Sequence, residues 1–262
     1  MRVPLYQVDA FTSRAFGGNP AAVCPLLRPL PDALMQSIAA ENNLSETAFL
    51  HGGDGRYAIR WFTPTTEVPL CGHATLASAW VVFHRLEPAR ERVMFDSASG
   101  PLVVTREGGR LVLDFPSIPS LRVDLAPAMD AAFGLRPLEA WEGSSLMLLF
   151  ADEGAIRALR PSAEGIARLH AHGVIATAPG ESSDIVSRFF APNLGVFEDP
   201  VTGSAHAQLT PWWSRRLART TLSARQLSQR GGELTCELAG PRVRMAGDAV
   251  LYLEGEIELP GA

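Results

Sequence analysis

The sequence predicts an α+β protein built from two similar lobes, and a duplicated stretch carries that prediction. Residues 67–74 (EVPLCGHA) are echoed by residues 198–205 (EDPVTGSA), with Glu, Pro, Gly and Ala at matching places. Just upstream, residues 60–64 (RWFTP) are echoed by residues 188–192 (RFFAP). Each copy has the pattern of a strand, a turn and a helix, so two matches in the same order indicate a repeated unit.

We expect the first lobe to comprise residues 1–117 together with 248–262, and the second lobe to comprise residues 118–247. Prolines at positions 116, 119 and 127 mark the crossover between the halves. The last strand is expected to return to the first lobe. A two-fold arrangement of this kind predicts an active-site cleft between the lobes.

Hydrophobic periodicity and turn residues predict the elements of each half. In the first half we expect strands at 4–11, 21–25, 44–50, 57–62, 93–95, 102–105 and 111–115, a helix at 33–42 capped by Asp32, and a buried helix at 74–83. In the second half we expect strands at 146–150, 173–178, 185–191, 234–238, 242–245 and 249–259, a helix near 163–171, and a helix after Gly203. Since Pro211 lies inside that last helix, we expect it to kink or restart there.

Composition excludes several classes of protein. The formal net charge of −5 over 262 residues offers no basic surface for nucleic acid. The chain has three scattered cysteines without metal-ligand spacing, which is typical of a reducing compartment. It shows no signal peptide and no apolar run of about 18 residues. We therefore expect a cytoplasmic protein with neither a membrane nor a nucleic-acid partner, and no metal.

Two helix starts are candidate anion sites. The helices begin near Gly72 and Gly203, where free backbone N–H groups and the positive end of the helix dipole favour a carboxylate. Glu46, His73 and Asp199 are the titratable groups expected nearby, and together they form a possible proton-transfer set. The structural alternatives are that His73 caps its helix, Asp199 forms a turn, Ser204 bonds backbone, and Cys71 is a small buried hydrophobe.

The dense turn signal at residues 16–20 (FGGNP) has two interpretations. It is either a tight turn or a loop of the site, because glycine lets the backbone approach a ligand closely. In the second interpretation, Gly18 and Asn19 contact substrate. No dinucleotide fingerprint, P-loop, zinc-protease motif, paired CxxC or nucleophile elbow is present, so we expect no cofactor.

Taken together, these motifs resemble the PhzF-like family of phenazine-biosynthesis isomerases. The resemblance spans nearly the whole chain and rests on residues 8–12, 16–23, 43–49, 60–64, 70–75, 198–206 and 226–232. It implies the fold of diaminopimelate epimerase, with two pseudo-symmetric lobes that each roll a mixed β-sheet around a central α-helix. It also implies a homodimer without a cofactor, acting on a small carboxylate.

The resemblance also assigns roles to individual residues. The catalytic carboxylate of the family corresponds to Glu46, its histidine to His73 and its aspartate to Asp199. Its substrate-carboxylate contacts correspond to Gly72, Gly203 and Ser204.

Related racemases of this fold use one cysteine at each helix start. Here Cys71 fills one of these positions, but Thr202 fills the other and cannot supply a thiolate. We therefore predict a cofactor-independent isomerase that shuttles a proton through Glu46. The alternatives are an epimerase or racemase of the same fold and a catalytically silent binding protein.

Overall fold

The computed structural model describes residues 1–259, so residues 260–262 of the predicted first lobe lie outside the described residues. The chain divides into two units. One contains Met1–Asp114 and the segment that begins at Ala246, and the other contains Phe115–Met245. Because strands and helices both contribute to each unit, the predicted α+β class is confirmed.

The first unit contains most of the strands expected from alternation. They are β1 (Arg2–Ala10), β2 (Asn19–Leu26), β3 (Glu46–Gly53), β4 (Arg56–Phe62), β5 (Glu67–Val68), β6 (Arg92–Ser97), β7 (Gly100–Glu107), β8 (Arg110–Pro116) and β18 (Ala249–Glu258). Its helices are α1 (Asp32–Asn42) and α2 (Gly72–Val81), and a π-helical turn, Val82–Leu86, continues α2.

Helix α2 lies in the interior of the first unit. Of its residues only Trp80 is not buried, as expected for a helix with no polar face. It contacts β1, β2, β3 and β18. Helix α1 packs through Met35, Ile38 and Ala39 into a separate cluster with Phe49 and Phe62. The two helices thus bury different apolar side chains of the first unit.

The second unit has its own strands and helices. The strands are β9 (Leu121–Val123), β10 (Glu139–Glu142), β11 (Leu146–Leu149), β12 (Val174–Pro179), β13 (Ile185–Ala191), β14 (Val196–Asp199), β15 (Thr221–Gln226), β16 (Gly232–Ala239) and β17 (Arg242–Gly247). The helices are α3 (Pro127–Phe133), α4 (Glu153–Ala158), α5 (Ala163–Leu169) and α6 (Gly203–Leu217).

The two units repeat one strand-pairing scheme. In the first unit β1 and β2 pair antiparallel, β2 and β3 parallel, β3 and β4 antiparallel, β4 and β6 parallel, and β6 and β7 antiparallel. In the second unit β10, β11, β12, β13, β15 and β16 follow the same succession. The short strands β5 and β14 pair with β4 and β13, directly before α2 and α6. This agreement supports the duplication inferred from the sequence.

The repeated residues also make repeated contacts. Arg60 and Glu67 form a two-pronged ion pair with N···O distances of 2.7 Å. The equivalent Arg188 and Glu198 do the same at 2.7 and 2.9 Å. Each guanidinium also lies over a ring two residues along its strand, 5.2 Å from Phe62 in the first unit and 4.9 Å from the equivalent ring in the second. The ion pair ties each long strand to the short strand that leads into the helix.

Helix α6 corrects one expectation. It runs without interruption from Gly203 to Leu217, so the predicted restart at Pro211 is wrong. Proline lacks the N–H that would bond to the carbonyl four residues earlier. That carbonyl, Ala207 O, instead accepts a hydrogen bond from the backbone N–H of Ile118 at 3.0 Å. A neighbouring segment therefore satisfies the group that proline leaves open.

Other details also differ from the sequence prediction. Asp32 is the first residue of α1 rather than its cap, since the N-cap is Pro31 and no side chain caps the helix. The Asp32 carboxylate binds Arg60 at 2.7 Å instead. In the predicted crossover, β9, α3 and β10 were missed, with Pro127 opening α3. Later in the second unit, α4 and β15 were missed as well. Among the described residues, no helix is long and apolar enough to cross a membrane.

Candidate functional site

Three elements of the first unit bring Asn19, Glu46 and His73 together. Parallel pairing of β2 with β3 sets Ala21 beside Glu46. Asn19 lies two residues before Ala21, and side chains two apart on a strand share a face. Helix α2 contacts both strands and begins at Gly72, so His73 falls in its first turn. We call Asn19, Glu46, Cys71 and His73 the His73 cluster.

Both ring nitrogens of His73 are in contact with polar groups. Nε2 lies 3.2 Å from Oε2 of Glu46, an ion-pair distance without hydrogen-bond geometry. On the other side of the ring, Nδ1 lies 3.0 Å from Nδ2 of Asn19 and 3.5 Å from Sγ of Cys71. Asn19, Cys71 and His73 are buried, whereas Glu46 keeps limited access to solvent, with 14% of its side chain exposed. The least buried member of the cluster is therefore its carboxylate.

Burial sets the ionisation of Cys71. Desolvation, assisted by the nearby Glu46 carboxylate, raises the pKa of the Cys71 thiol to about 11. Cys71 is therefore a thiol at neutral pH rather than a thiolate.

For His73, burial lowers the pKa while contact with Cys71 and Glu46 raises it, and the net direction is upward. These polar neighbours therefore favour the charged form of the ring.

The loop before Asn19 requires glycine at position 18. Gly18 has a φ of +60°, and a Cβ there would lie 2.1 Å from the carbonyl oxygen of Ala10. The Asp9 carboxylate, which the sequence prediction missed, accepts a hydrogen bond from the backbone N–H of Phe16 at 2.9 Å. Asp9 is buried, so this bond fixes the loop from inside. The loop thereby places Asn19 as the first residue of β2.

In the second unit, the turn between β14 and α6 contains the other predicted residues. Asp199 ends β14, and its carboxylate accepts a hydrogen bond from the hydroxyl of Thr202, the N-cap of α6. Gly203 and Ser204 begin the helix, with Gly203 buried and Ser204 partly buried. We call residues 199–202 the Asp199 turn.

Gln226, at the end of β15, clamps the Asp199 turn. Its Nε2 donates to the backbone oxygen of Asp199 at 2.7 Å and to the hydroxyl of Thr202 at 3.2 Å. Its Oε1 accepts from the backbone N–H of Thr202 at 2.9 Å. The sequence prediction placed Gln226 in a family motif without assigning it this contact. A buried amide thus holds both ends of the turn.

His206 lies one helical turn further along α6. Its Nδ1 is 2.8 Å from the backbone oxygen of Thr202. Burial lowers the pKa of His206 to about 4, so the ring is neutral at pH 7 and Nδ1–H donates to that oxygen. His206 therefore binds the carbonyl of the N-cap residue as a neutral donor.

The structure gathers the predicted residues into two groups, one in each unit. Asn19, Glu46 and His73 form the His73 cluster, beside Gly18 and Gly72. Asp199, Gly203 and Ser204 form or follow the Asp199 turn. That both groups act in one cleft stays a prediction.

Glu46, Cys71 and His73 also provide the donor types that bind zinc, and one donor atom from each lies within 4.8 Å of the others. The sulfur, however, lies close to Nδ1 of His73, whereas the carboxylate lies close to Nε2. The sulfur and the carboxylate therefore lie nearest to opposite nitrogens of the His73 ring.

Structural comparison supports the fold inferred above. A probable proline racemase from Agrobacterium radiobacter is 14% identical, with a TM-score of 0.61 over 98% of this chain and 93% of that one. At that identity the likeness shows the fold alone, and it confirms the diaminopimelate epimerase-like fold predicted from the sequence.

Nearer relatives identify the family. A protein of Pseudomonas aeruginosa named as an uncharacterized isomerase is 52% identical over 99% of this chain and 100% of its own length. A crystal structure of a PhzF-family phenazine biosynthesis protein from Enterococcus faecalis is 49% identical, with a TM-score of 0.95 over 99% of this chain and 100% of that one. The family model described as phenazine biosynthesis-like protein (PhzC-PhzF) matches residues 8–255. The chain therefore belongs to the phenazine biosynthesis-like PhzF family.

Proposed function

We propose that this protein is a cofactor-independent isomerase that moves a proton between two carbons of a small carboxylate substrate. The observation that carries the proposal is the contact of 3.2 Å between Oε2 of Glu46 and Nε2 of His73, in an otherwise buried cluster. Relatives named as isomerases support the general class of reaction.

Glu46 is the proton carrier in this proposal. It is the acidic member of the cluster, and it keeps access to solvent that Cys71 and His73 lack. Its carboxylate removes a proton from one carbon of the substrate, and the resulting carboxylic acid returns that proton to another carbon. No atom is gained or lost, so the product is an isomer of the substrate.

The helix starts bind the substrate acid in this proposal. Gly72 and Gly203 begin helices whose first N–H groups favour an anion, and Ser204 adds a hydroxyl. Asp199 assists proton transfer, as His73 does. Gly18 is assigned to shaping the binding loop, and Asn19 to contact with substrate. Small carboxylates are the substrate class, and a homodimer in the cytoplasm is the expected form.

A two-thiol racemase is the weaker enzymatic alternative. Burial raises the pKa of Cys71 to about 11, so this residue is a poor base near neutrality. The equivalent residue in the second unit is Thr202, whose hydroxyl donates to Asp199. Neither helix start therefore supplies the thiolate that such a reaction uses.

Deuterium exchange tests the proposal. The protein is incubated in D₂O with a panel of small unsaturated and hydroxylated carboxylic acids, and ¹H NMR follows the carbon-bound protons. We expect deuterium at a new carbon of one acid, and loss of that activity in Glu46→Gln. Glu41→Gln is the matched control, because Glu41 is an exposed acid on α1.

Three outcomes would contradict the proposal in different ways. Full exchange activity in Glu46→Gln would remove Glu46 from the reaction. Exchange at a single carbon with inversion of its configuration would indicate an epimerase. Binding of an acid, seen as a thermal shift, without any exchange would indicate a silent binding protein.

A further inference from the structure

We propose that Asn19 is a positioning residue that determines which nitrogen of the uncharged His73 ring carries the hydrogen. The catalytic meaning of this proposal rests on the proposed isomerase function. The hydrogen position itself does not, because it can be measured without any substrate.

The argument begins with what each partner of His73 can do. The amide nitrogen of Asn19 only donates hydrogen bonds, and it lies 3.0 Å from Nδ1. The thiol of Cys71, 3.5 Å from the same nitrogen, is also a donor while it keeps its proton. An ionised Glu46 only accepts, and it lies 3.2 Å from Nε2. Donors therefore face Nδ1, and an acceptor faces Nε2.

One neutral form of the ring suits both sides better than the other. With its hydrogen on Nε2, His73 offers the lone pair of Nδ1 to the amide of Asn19 and places its N–H on the side of the carboxylate. With its hydrogen on Nδ1, the ring would point that hydrogen at the N–H of Asn19, so two donors would face each other. It would also turn the lone pair of Nε2 toward the oxygens of Glu46. The hydrogen bond from Asn19 is therefore kept only in the first form.

Asn19 is well placed to impose this choice. It is fully buried and is the first residue of β2, paired with Ala10 on β1. The residue before it, Gly18, adopts a φ of +60° against the carbonyl of Ala10. A side chain anchored by paired strands keeps its amide against Nδ1. Proton exchange is then confined to Nε2, the nitrogen that faces the proposed proton carrier.

Nitrogen NMR of the full-length protein tests the hydrogen position directly. The protein is labelled with ¹⁵N-histidine, and the signal of His73 is identified by its loss in His73→Gln. Because the pKa of His73 is raised, the spectrum is recorded at a pH above that pKa, where we expect the neutral tautomer protonated on Nε2. A neutral ring with its hydrogen on Nδ1 would overturn the proposal.

Two substitutions then test whether Asn19 is the cause. Asn19→Leu keeps a similar volume but removes the donor, so we expect the ratio of the two tautomers to change by about tenfold, the effect of one hydrogen bond. Asn19→Asp replaces the donor with an acceptor for Nδ1–H. We expect it to raise the pKa of His73 by roughly 1–3 units. An unchanged tautomer ratio and an unchanged pKa in both variants would refute the role of Asn19.

A matched control separates this effect from general disturbance. Asn42 donates its amide to Thr47 at 3.1 Å and has no contact with His73 among the hydrogen bonds of the described residues. Asn42→Leu should therefore leave the His73 signals unchanged. If Glu46→Gln lacks an effect on exchange while the tautomer results hold, the isomerase proposal fails and the role of Asn19 in setting the tautomer stands.

Discussion

The clamp formed by Gln226 is expected to determine the stability of the Asp199 turn. In Gln226→Met the side chain keeps a similar length and loses all three hydrogen bonds to Asp199 and Thr202. Because Gln226 and Thr202 are both buried, water cannot replace these bonds freely. A lost bond or an unsatisfied N–H costs about 1–3 kcal/mol in a buried site. Because the three bonds belong to one side chain, their costs do not add in full, and we expect the free energy of opening the turn to fall by about 2–4 kcal/mol.

Hydrogen–deuterium exchange measured by mass spectrometry is the assay for this loss. A peptide covering residues 199–206 should exchange about 30- to 1,000-fold faster in the variant if opening of the turn limits exchange, since 1.4 kcal/mol corresponds to about tenfold. Gln229→Met is the matched control, because Gln229 is exposed on the following loop. Unchanged exchange of this peptide in Gln226→Met would refute the clamp.

Three further predictions concern backbone strain, the repeated ion pair and a buried histidine. Gly18→Ala should cost more than about 2 kcal/mol of unfolding free energy, because it adds a steric clash to the unfavourable φ, while Gly108→Ala, also at positive φ but in open space, should cost about 1 kcal/mol. R188K should cost about 1–2 kcal/mol, because its ion pair is largely buried, and the more exposed equivalent R60K should cost less than about 1 kcal/mol. The pKa of His206 is lowered to about 4 in the folded protein, so the unfolded chain binds the proton first as pH falls. The neutral His206 ring therefore makes its full contribution to the free energy of unfolding above about pH 6.5. As the pH falls to 4, this contribution decreases by about 3 kcal/mol at most.

Urea unfolding measures all three effects. Equal losses of unfolding free energy in Gly18→Ala and Gly108→Ala would show that the clash with the Ala10 carbonyl adds no cost. A greater loss in R60K than in R188K would contradict the argument from burial. For His206, the change of stability between pH 6.5 and 4 should become smaller in His206→Gln. An identical pH dependence in both proteins would assign that loss to other groups.

Much of the fold could be predicted because the chain repeats itself. The matching residues 60–74 and 188–205 predicted two units, and both units share one succession of strand pairings. Alternating and continuous apolar patterns predicted strands that overlap the observed ones. The missed elements between Pro116 and Leu146 have short, mixed patterns that local periodicity does not distinguish from a linker.

The uninterrupted course of α6 shows a second limit of sequence reasoning. Proline predicts a break because it lacks an N–H. Whether the helix breaks depends on what satisfies the carbonyl of Ala207. The donor is the backbone of Ile118, which is 89 residues away in the sequence. A pattern within the helix contains no information about that partner.

By itself, the sequence predicted the type of chemistry and most of the residues proposed to perform it. Glu46 stands out as an acid flanked by apolar residues in a short strand, and His73 and Asp199 stand out beside glycine-tipped turns. Both are local properties of the chain. Only the tertiary structure decided which groups touch. The register of β2 against β3 sets Asn19 and Glu46 on one face, and the start of α2 places His73 between them. Contacts between distant residues depend on strand register and helix docking, which arise from packing of the whole unit rather than from any one segment.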